Sequence, residues 1–268
     1  MSRIQGKNVL ITGGASGIGK LMGRIALEKG AANLIIWDIN EAGLAETKAE
    51  FAAISTNVYT QKVNVNRLEE IIAAAEEARQ KVGFVEIVIN NAGIIVGKLF
   101  QEHSHDDIIN TMGINSSALM HITREFLPGM LSRKQGHICN IASAAGLLSN
   151  PKMSVYVGSK WAVLGWSDSL RIELEQAKTG VHVTTICPYY ISTGMFSGVK
   201  SFIPLLKPEP VAQRIIKAIE HNHILVKLPW IVNMLPFAKG ILTTRAFDFV
   251  IGKGFGIYNT MSNFVGRK

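Results

Sequence analysis

Cysteine is scarce: the 268 residues hold only Cys139 and Cys187, too few for a disulfide framework. Both sit in apolar runs, which reads as buried, reduced thiols in a reducing compartment. Long apolar runs are also lacking. The longer uncharged stretches, such as 179–199, are interrupted by Pro188, threonines and glycines, so no segment reads as a spanning helix. Residues 1–7 carry no apolar stretch of the kind a secretory signal requires. The expected setting is therefore cytoplasmic, soluble or peripheral at a membrane or lipid surface. Aromatics make up only 7%, whereas glycine is abundant at 25 residues, a balance suited to tight strand–helix turns. Apolar residues reach 47%, which excludes a disordered chain.

The net charge of +8 is unevenly spread, since residues 200–268 carry ten Lys/Arg against three Asp/Glu. The preceding part is nearly neutral, so the basic character belongs to the end of the chain. That excess lies among apolar residues and accompanies no nucleic-acid motif, which argues against a nucleic-acid partner.

Short β-branched runs alternate with longer helical stretches. Strands are expected at 8–12, 33–37, 58–63, 86–89, 137–141, 181–187 and 224–228. Helices are expected from the Gly-rich turn to about 29, then at 41–53, 67–81, 105–132, 155–177 and 210–220, with Ser104 as an N-cap. The strands show no polar alternation, which indicates burial on both faces and hence a parallel sheet covered by helices. Regular alternation of this kind predicts a single doubly wound α/β domain over 1–228. An apolar, basic extension follows at 229–268.

Thr12-Gly13-Gly14-Ala15-Ser16-Gly17-Ile18-Gly19 joins the first strand to the first helix. Glycines there let backbone N–H groups approach a pyrophosphate, and the helix N-terminus adds favourable partial charge. The second strand ends at Asp38, where a carboxylate can accept from ribose hydroxyls and repel a 2′-phosphate. Neither Ile39 nor Asn40 is an arginine, so NAD(H) is favoured over NADP(H). The competing reading of Asp38 is a cap for the helix beginning near Glu41.

Tyr156-Val157-Gly158-Ser159-Lys160 places a phenol and an amine one helical turn apart. A phenol titrates near ~10, too high for proton exchange at neutrality. A nearby ammonium and the positive ring of NAD+ are expected to lower it by about three units, worth roughly 4 kcal/mol. Alone, such spacing describes many solvated helix faces. Here Ser143 ends the strand thirteen residues earlier, and Asn90-Asn91-Ala92-Gly93 ends the fourth strand on the same rim. Asn115 lies within a long helix beside Gly113, where a polar residue invites a local distortion that frees a carbonyl for water.

Taken in order, the Gly turn, Asn-Asn-Ala-Gly, Asn115, Ser143 and the Tyr156/Lys160 pair resemble the short-chain dehydrogenase/reductase family over about 5–196. The resemblance implies a Rossmann fold and a Ser143-Tyr156-Lys160-Asn115 tetrad. Tyr156 would be the general acid/base, Ser143 would hydrogen-bond the substrate oxygen, and Lys160 would bind the nicotinamide ribose. Asn115 would hold a water that links Lys160 to solvent. Gly13, Ser16, Gly17, Ile18, Gly19, Asp38, Ile39, Asn64, Val65, Asn91 and Gly93 would bind the rest of NAD, with Pro188, Ile191 and Thr193 beside its carboxamide. Two residues depart from the family pattern. Asn64 replaces an aspartate next to the adenine, and Tyr189 replaces a glycine after Pro188. The resemblance also implies homodimers or homotetramers built from the long helices.

Substrate is expected under a loop and helix at 189–206, rich in Tyr189, Tyr190, Met195, Phe196, Phe202, Ile203, Leu205 and Leu206. Such lining suits an apolar alcohol. Segments 37–40, 188–196 and 261–267 are similar to the epidermal retinol dehydrogenase and lipid-droplet 17β-hydroxysteroid dehydrogenase branch, which implies retinoid, steroid or lipid alcohols. Alternatives are a reductase of short polar carbonyls and a non-catalytic cofactor-binding scaffold. The His103/His105 and His221/His223 pairs lack a Cys/carboxylate cluster and read as solvated surface rather than a metal site. Ser143 lacks the Gly-x-Ser-x-Gly elbow of a hydrolase. In the extension, Trp230, Phe237, Phe247, Phe249, Phe255, Tyr258 and Phe264 accompany five cations, Lys239, Arg245, Lys253, Arg267 and Lys268. That pattern fits either an element lying in a membrane interface or one packed over the substrate loop.

Overall fold

The computed structural model describes residues 2–266. Met1, Arg267 and Lys268, the last two counted among the cations of the extension, lie outside the described residues. The strands are β1 (Asn8–Thr12), β2 (Asn33–Asp38), β3 (Val58–Lys62), β4 (Ile87–Asn90), β5 (Gly136–Ile141), β6 (Val181–Pro188) and β7 (Leu225–Leu228). All neighbours run parallel in the order β3-β2-β1-β4-β5-β6-β7. The order reverses direction at β1, so the crevice between the carboxyl ends of β1 and β4 is where a doubly wound sheet receives a ligand.

The uniform apolarity of the strands follows from this arrangement, because each strand has helices on both faces. In β1, Val9 and Ile11 pack with Met22 of α1 (Gly17–Glu28) and Ile215 of α7 (Pro208–Glu220). Leu10 points the other way, toward Ile71 of α3 (Leu68–Val82), Phe126 of α5 (Ala118–Arg133) and Leu170 of α6 (Ser154–Gln176). α2 (Glu41–Phe51) is capped by Asn40, whose Oδ1 accepts from Gly43 N at 3.1 Å. Cys139 and Cys187 are buried free thiols, both shifted upward by desolvation.

Two expectations are corrected. The single helix expected at 105–132 is divided into α4 (His105–Met112), a wide π turn (Gly113–Ser117) and α5. The distortion anticipated at Asn115 is this π turn, set within a helical backbone that continues through Met112, Gly113, Ser117 and Ala118. Ser104 does cap α4, accepting from Asp107 N at 3.0 Å. Between Tyr189 and Leu206 no helix forms. The segment runs through turns closed by a parallel bridge between Ile191 and Leu206, since Gly194 and Gly198 both adopt left-handed backbone.

The extension continues as a short turn (Trp230–Asn233), α8 (Met234–Ile241), α9 (Thr244–Phe247) and a π turn (Asp248–Gly254). Its Val232, Phe247, Ile257 and Met261 form one apolar cluster with Tyr156, Tyr189, Tyr190 and Phe196. Lys239 lies over the Trp161 ring of α6 at 4.7 Å and fixes the extension from the other side. The extension therefore packs on the substrate loop, yet it also leaves Trp230, Phe237, Ile241 and Phe249 63–73% exposed.

Candidate active site

β1 ends in Thr12, whose hydroxyl accepts from Asn91 N and Ala92 N, each at 3.0 Å. The Asn91 amide returns the tie, donating to Thr12 O at 2.9 Å and Gly13 O at 3.0 Å. The two strand ends at the crevice are thus sewn together before any ligand is considered. Gly13 and Gly17 have positive φ, and a Cβ on Gly19 would collide with the Gly13 carbonyl and the Asn91 amide. These glycines hold a turn whose backbone faces a cavity of about 290 Å³, with the N-terminus of α1 at its floor.

Asp38 sits at the end of β2. One carboxylate oxygen accepts from Ala15 N and the other from Asn40 N, both at 3.0 Å. The competing role as helix cap is taken by Asn40, so Asp38 instead braces the Gly turn and lines the cavity. Each oxygen retains acceptor capacity for a ribose hydroxyl. Asn64 turns its Oδ1 toward Asn66 N at 3.0 Å and lines the same cavity with Val65.

Tyr156, Lys160 and Ser143 meet at the other end of that cavity, all buried. Lys160 Nζ donates to Ile141 O at 2.8 Å, which holds the ammonium beneath the strand end. Ser143 lies two residues beyond the end of β5, in extended backbone, and accepts from Ala145 N at 3.1 Å. Burial raises the Tyr156 phenol to about 12, against the opposing pull of the Ser143 hydroxyl. Burial also lowers the Lys160 amine to about 8. The lowering is expected from the Lys160 ammonium and the NAD+ ring together; the ammonium by itself does not bring Tyr156 below its ordinary value. The Lys160 nitrogen is spent on a carbonyl and lies 5.8 Å from the phenol ring centre, while desolvation acts on both groups.

Asn115 is fully buried and does not line the cavity. Its Oδ1 accepts from Ile94 N at 2.8 Å, and its Nδ2 donates to Ile94 O at 2.9 Å and to Ser159 Oγ at 3.1 Å. The side chain therefore clamps the Gly93–Ile94 backbone against α6. The water-holding role implied for Asn115 does not fall to its side-chain amide in this geometry.

Every other anticipated residue borders the cavity: Gly13, Ser16, Gly17, Ile18, Gly19, Asp38, Ile39, Asn64, Val65, Asn91, Gly93, Ser143, Tyr156, Lys160, Pro188, Ile191 and Thr193. Thr12 escaped sequence reasoning because a threonine ending an apolar strand looks like ordinary β propensity. A buried ladder escaped it too: Asn90 Nδ2 donates to Asn140 Oδ1 at 2.8 Å, and Asn140 Nδ2 donates to Ser167 Oγ at 2.9 Å. Among histidines, His103 departs from the solvated reading, since both ring nitrogens are shielded without a protein partner among the described residues.

Residues 7–203 match the model of a family described as short chain dehydrogenase. The chain belongs to the short-chain dehydrogenase family. It is accordingly an oxidoreductase that acts on CH–OH groups, with a Rossmann-like sheet. This short-chain dehydrogenase is 33% identical over 273 residues to epidermal retinol dehydrogenase 2 of Mus musculus, covering 99% of this chain and 87% of that protein. A short-chain dehydrogenase/reductase of Burkholderia phymatum, solved with NAD, superposes with a TM-score of 0.83 at 26% identity, covering 94% of this chain and 97% of that one. A metagenomic short-chain oxidoreductase solved with NADP shares the fold, with a TM-score of 0.72 at 22% identity over 85% of this chain and 97% of that one.

The site fits a dinucleotide. A Cβ at Gly13 or Gly19 would collide with the neighbouring backbone and the Asn91 amide and so disrupt the turn, the α1 N-terminus offers positive partial charge, and Asp38 keeps acceptor capacity on the cavity.

Proposed function

We propose that this chain interconverts an apolar alcohol, of the retinoid, steroid or other lipid class, and its carbonyl, using NAD(H). The observation that carries the substrate class is the wall beside Tyr156. Phe196 meets the Tyr156 ring edge-on at 6.4 Å and Tyr190 at 4.9 Å, and Tyr189 and Met195 complete an apolar face closed by Ile257 and Met261 of the extension. Such a wall offers a short polar carbonyl little to bind. Similarity to a retinol dehydrogenase supports the same reading. NAD over NADP rests on Asp38, because a 2′-phosphate would meet a carboxylate already fixed by two backbone N–H groups.

The Gly turn would hold the pyrophosphate, Asp38 the adenosine ribose, Asn64 and Val65 the adenine, Lys160 the nicotinamide ribose, and Pro188, Ile191 and Thr193 the carboxamide. When bound, the nicotinamide supplies the hydride acceptor or donor and, when oxidised, a positive charge. Tyr156 exchanges the proton of the substrate oxygen, and Ser143 hydrogen-bonds that oxygen as charge develops on it. With its phenol at about 12, Tyr156 holds its proton at neutrality and is set to act as an acid. Acting as a base toward an alcohol requires added positive charge nearby, which protonated Lys160 contributes below about pH 8.

A panel of retinol, steroid, fatty and short-chain alcohols with NAD+ tests the reading. Apolar alcohols are expected to dominate kcat/KM, and Tyr156→Phe to remove nearly all turnover with NAD affinity kept within a few-fold. Preference for short polar substrates, or substantial kcat in Y156F, would overturn it.

A lipid surface beside the pocket mouth fits this substrate class. Phe202 of the substrate loop is 80% exposed and meets Phe255 of the extension edge-on at 6.3 Å. Exposed Lys239, Arg245 and Lys253 accompany these aromatics and complement anionic headgroups. Pairing of copies through the long helices is supported by Ile109 and Trp161, apolar side chains left exposed on α4 and α6.

A further inference from the structure

Asn150 lies in the loop between β5 and α6 and is buried. Its amide nitrogen donates to Thr260 Oγ1 at 2.7 Å and to Tyr190 OH at 2.9 Å, with Met153 Sδ at 3.6 Å. Thr260 passes its own hydroxyl proton to Ile257 O at 2.9 Å, so it accepts from Asn150 rather than competing for it. The nitrogen end of the amide is thereby fixed, and so is the direction of the oxygen. That oxygen, Oδ1, is buried and receives no donor from any described protein group. Leaving a buried carbonyl unpaired forfeits its hydration without replacement, so its retention calls for a donor from outside the protein.

Asn150 also borders a small cavity of about 30 Å³, bounded by Ser143, Leu148, Met153, Tyr190 and Ile257. Space of this size accepts one hydroxyl-sized group. Ser143 and Tyr189 border both this cavity and the larger one, so the small space opens beside the group that contacts the reacting oxygen. Apart from Asn150, Ser143, Tyr189 and Tyr190, the lining is apolar.

Building on the apolar-alcohol reading, we propose that Asn150 is a specificity-determining residue whose Oδ1 accepts a hydrogen bond from a second donor on the substrate, close to the reacting carbinol. The favoured substrate is then an apolar alcohol with a neighbouring hydroxyl or N–H, in preference to its mono-functional analogue. Discrimination arises because the analogue leaves a buried acceptor unpaired. Thr260 contributes at one remove, since the extension sets the orientation of the amide.

The test compares kcat/KM for dodecan-1-ol with dodecane-1,2-diol and dodecane-1,3-diol, using NAD+ and the full chain. Wild type is expected to prefer the better diol by roughly five- to tenfold, the size of one neutral hydrogen bond. Asn150→Leu and Asn150→Ala are expected to bring that ratio close to one. Thermal melting and NAD binding report whether each variant folds; if neither does, the wild-type ratio alone decides. Equal efficiency on mono-alcohol and diols in wild type, the result expected if water serves Oδ1, overturns the role of Asn150 and leaves the dehydrogenase reading intact. A diol preference that persists in both folded variants overturns it as well. Turnover of no apolar alcohol by NAD-binding wild type defeats the substrate reading, and this inference with it.

Discussion

Asp38 shows how one side chain carries two tasks. Its bonds to Ala15 N and Asn40 N make it part of the turn, while its remaining lone pairs face the cavity. Replacing Asp38 by Ala and Ile39 by Arg is expected to shift the NADP(H):NAD(H) ratio of kcat/KM toward NADP(H) by more than tenfold. Some loss of thermal stability should accompany it, because Ala15 N loses its acceptor. An unchanged coenzyme ratio with a lowered melting temperature would leave Asp38 a brace only. At this scale much was legible, because chemistry demands particular residue types in a particular order: a glycine turn, an acid after the next strand, a serine, and a tyrosine–lysine pair. Ionisation was not legible. It depends on burial and on where Lys160 spends its proton, and neither can be read from spacing. Asn150 was invisible for a similar reason, since its partners Tyr190 and Thr260 are 40 and 110 residues away.

At the level of elements, the π turn between α4 and α5 is the feature that sequence periodicity underestimates. The side chains continue a helical pattern across it, and only the polar Asn115 beside Gly113 marks the place. A Cβ at Gly113 would fall on the Asn66 side-chain oxygen, so Asn66 must swing aside and give up the bond its Nδ2 donates to Asn110 Oδ1 at 2.8 Å. Alanine normally favours a helix over glycine by about 1 kcal/mol. Here the sign reverses. Gly113→Ala is expected to destabilise by about 1–3 kcal/mol through overpacking, and to lower kcat as the Asn115 clamp on Ile94 shifts. Asn66→Ala in the same chain should restore part of both, readable by chemical denaturation and steady-state kinetics. Equal stability of G113A and wild type would contradict the steric account. The strands were the most legible elements, because burial on both faces leaves a continuous apolar signature. The 189–206 segment was the least, because its aromatic residues follow packing against the extension rather than a local period.

For the whole molecule, the extension packs on the substrate loop with one set of side chains and exposes another. It seats Phe247, Ile257 and Met261 in the substrate cluster and turns Trp230, Phe237 and Phe249 outward. Packing alone accounts for the first set and leaves the second in water, where each large apolar side chain forgoes about 1.5–3 kcal/mol of transfer free energy. Co-flotation with anionic liposomes is expected at low salt, weakening as salt rises, with W230S/F237S/F249S reducing it severalfold and melting within a few degrees of wild type. Recovery of wild type at the bottom of the gradient under low salt would leave these residues without a lipid role. The two-sided character could not be read from composition, because an aromatic residue gives no sign of which way it will face.

The position of the extension in the chain has a consequence for the order in which the two sites come into being. All the dinucleotide-lining residues, from Gly13 to Thr193, precede Ile257, Thr260 and Met261, which close the substrate side. During synthesis the dinucleotide cradle can therefore be complete while the alcohol pocket still lacks a wall. On the proposed reading, cofactor would be offered a finished site first, and selectivity for the alcohol would be acquired only when the later residues fold back and fix the Asn150 amide.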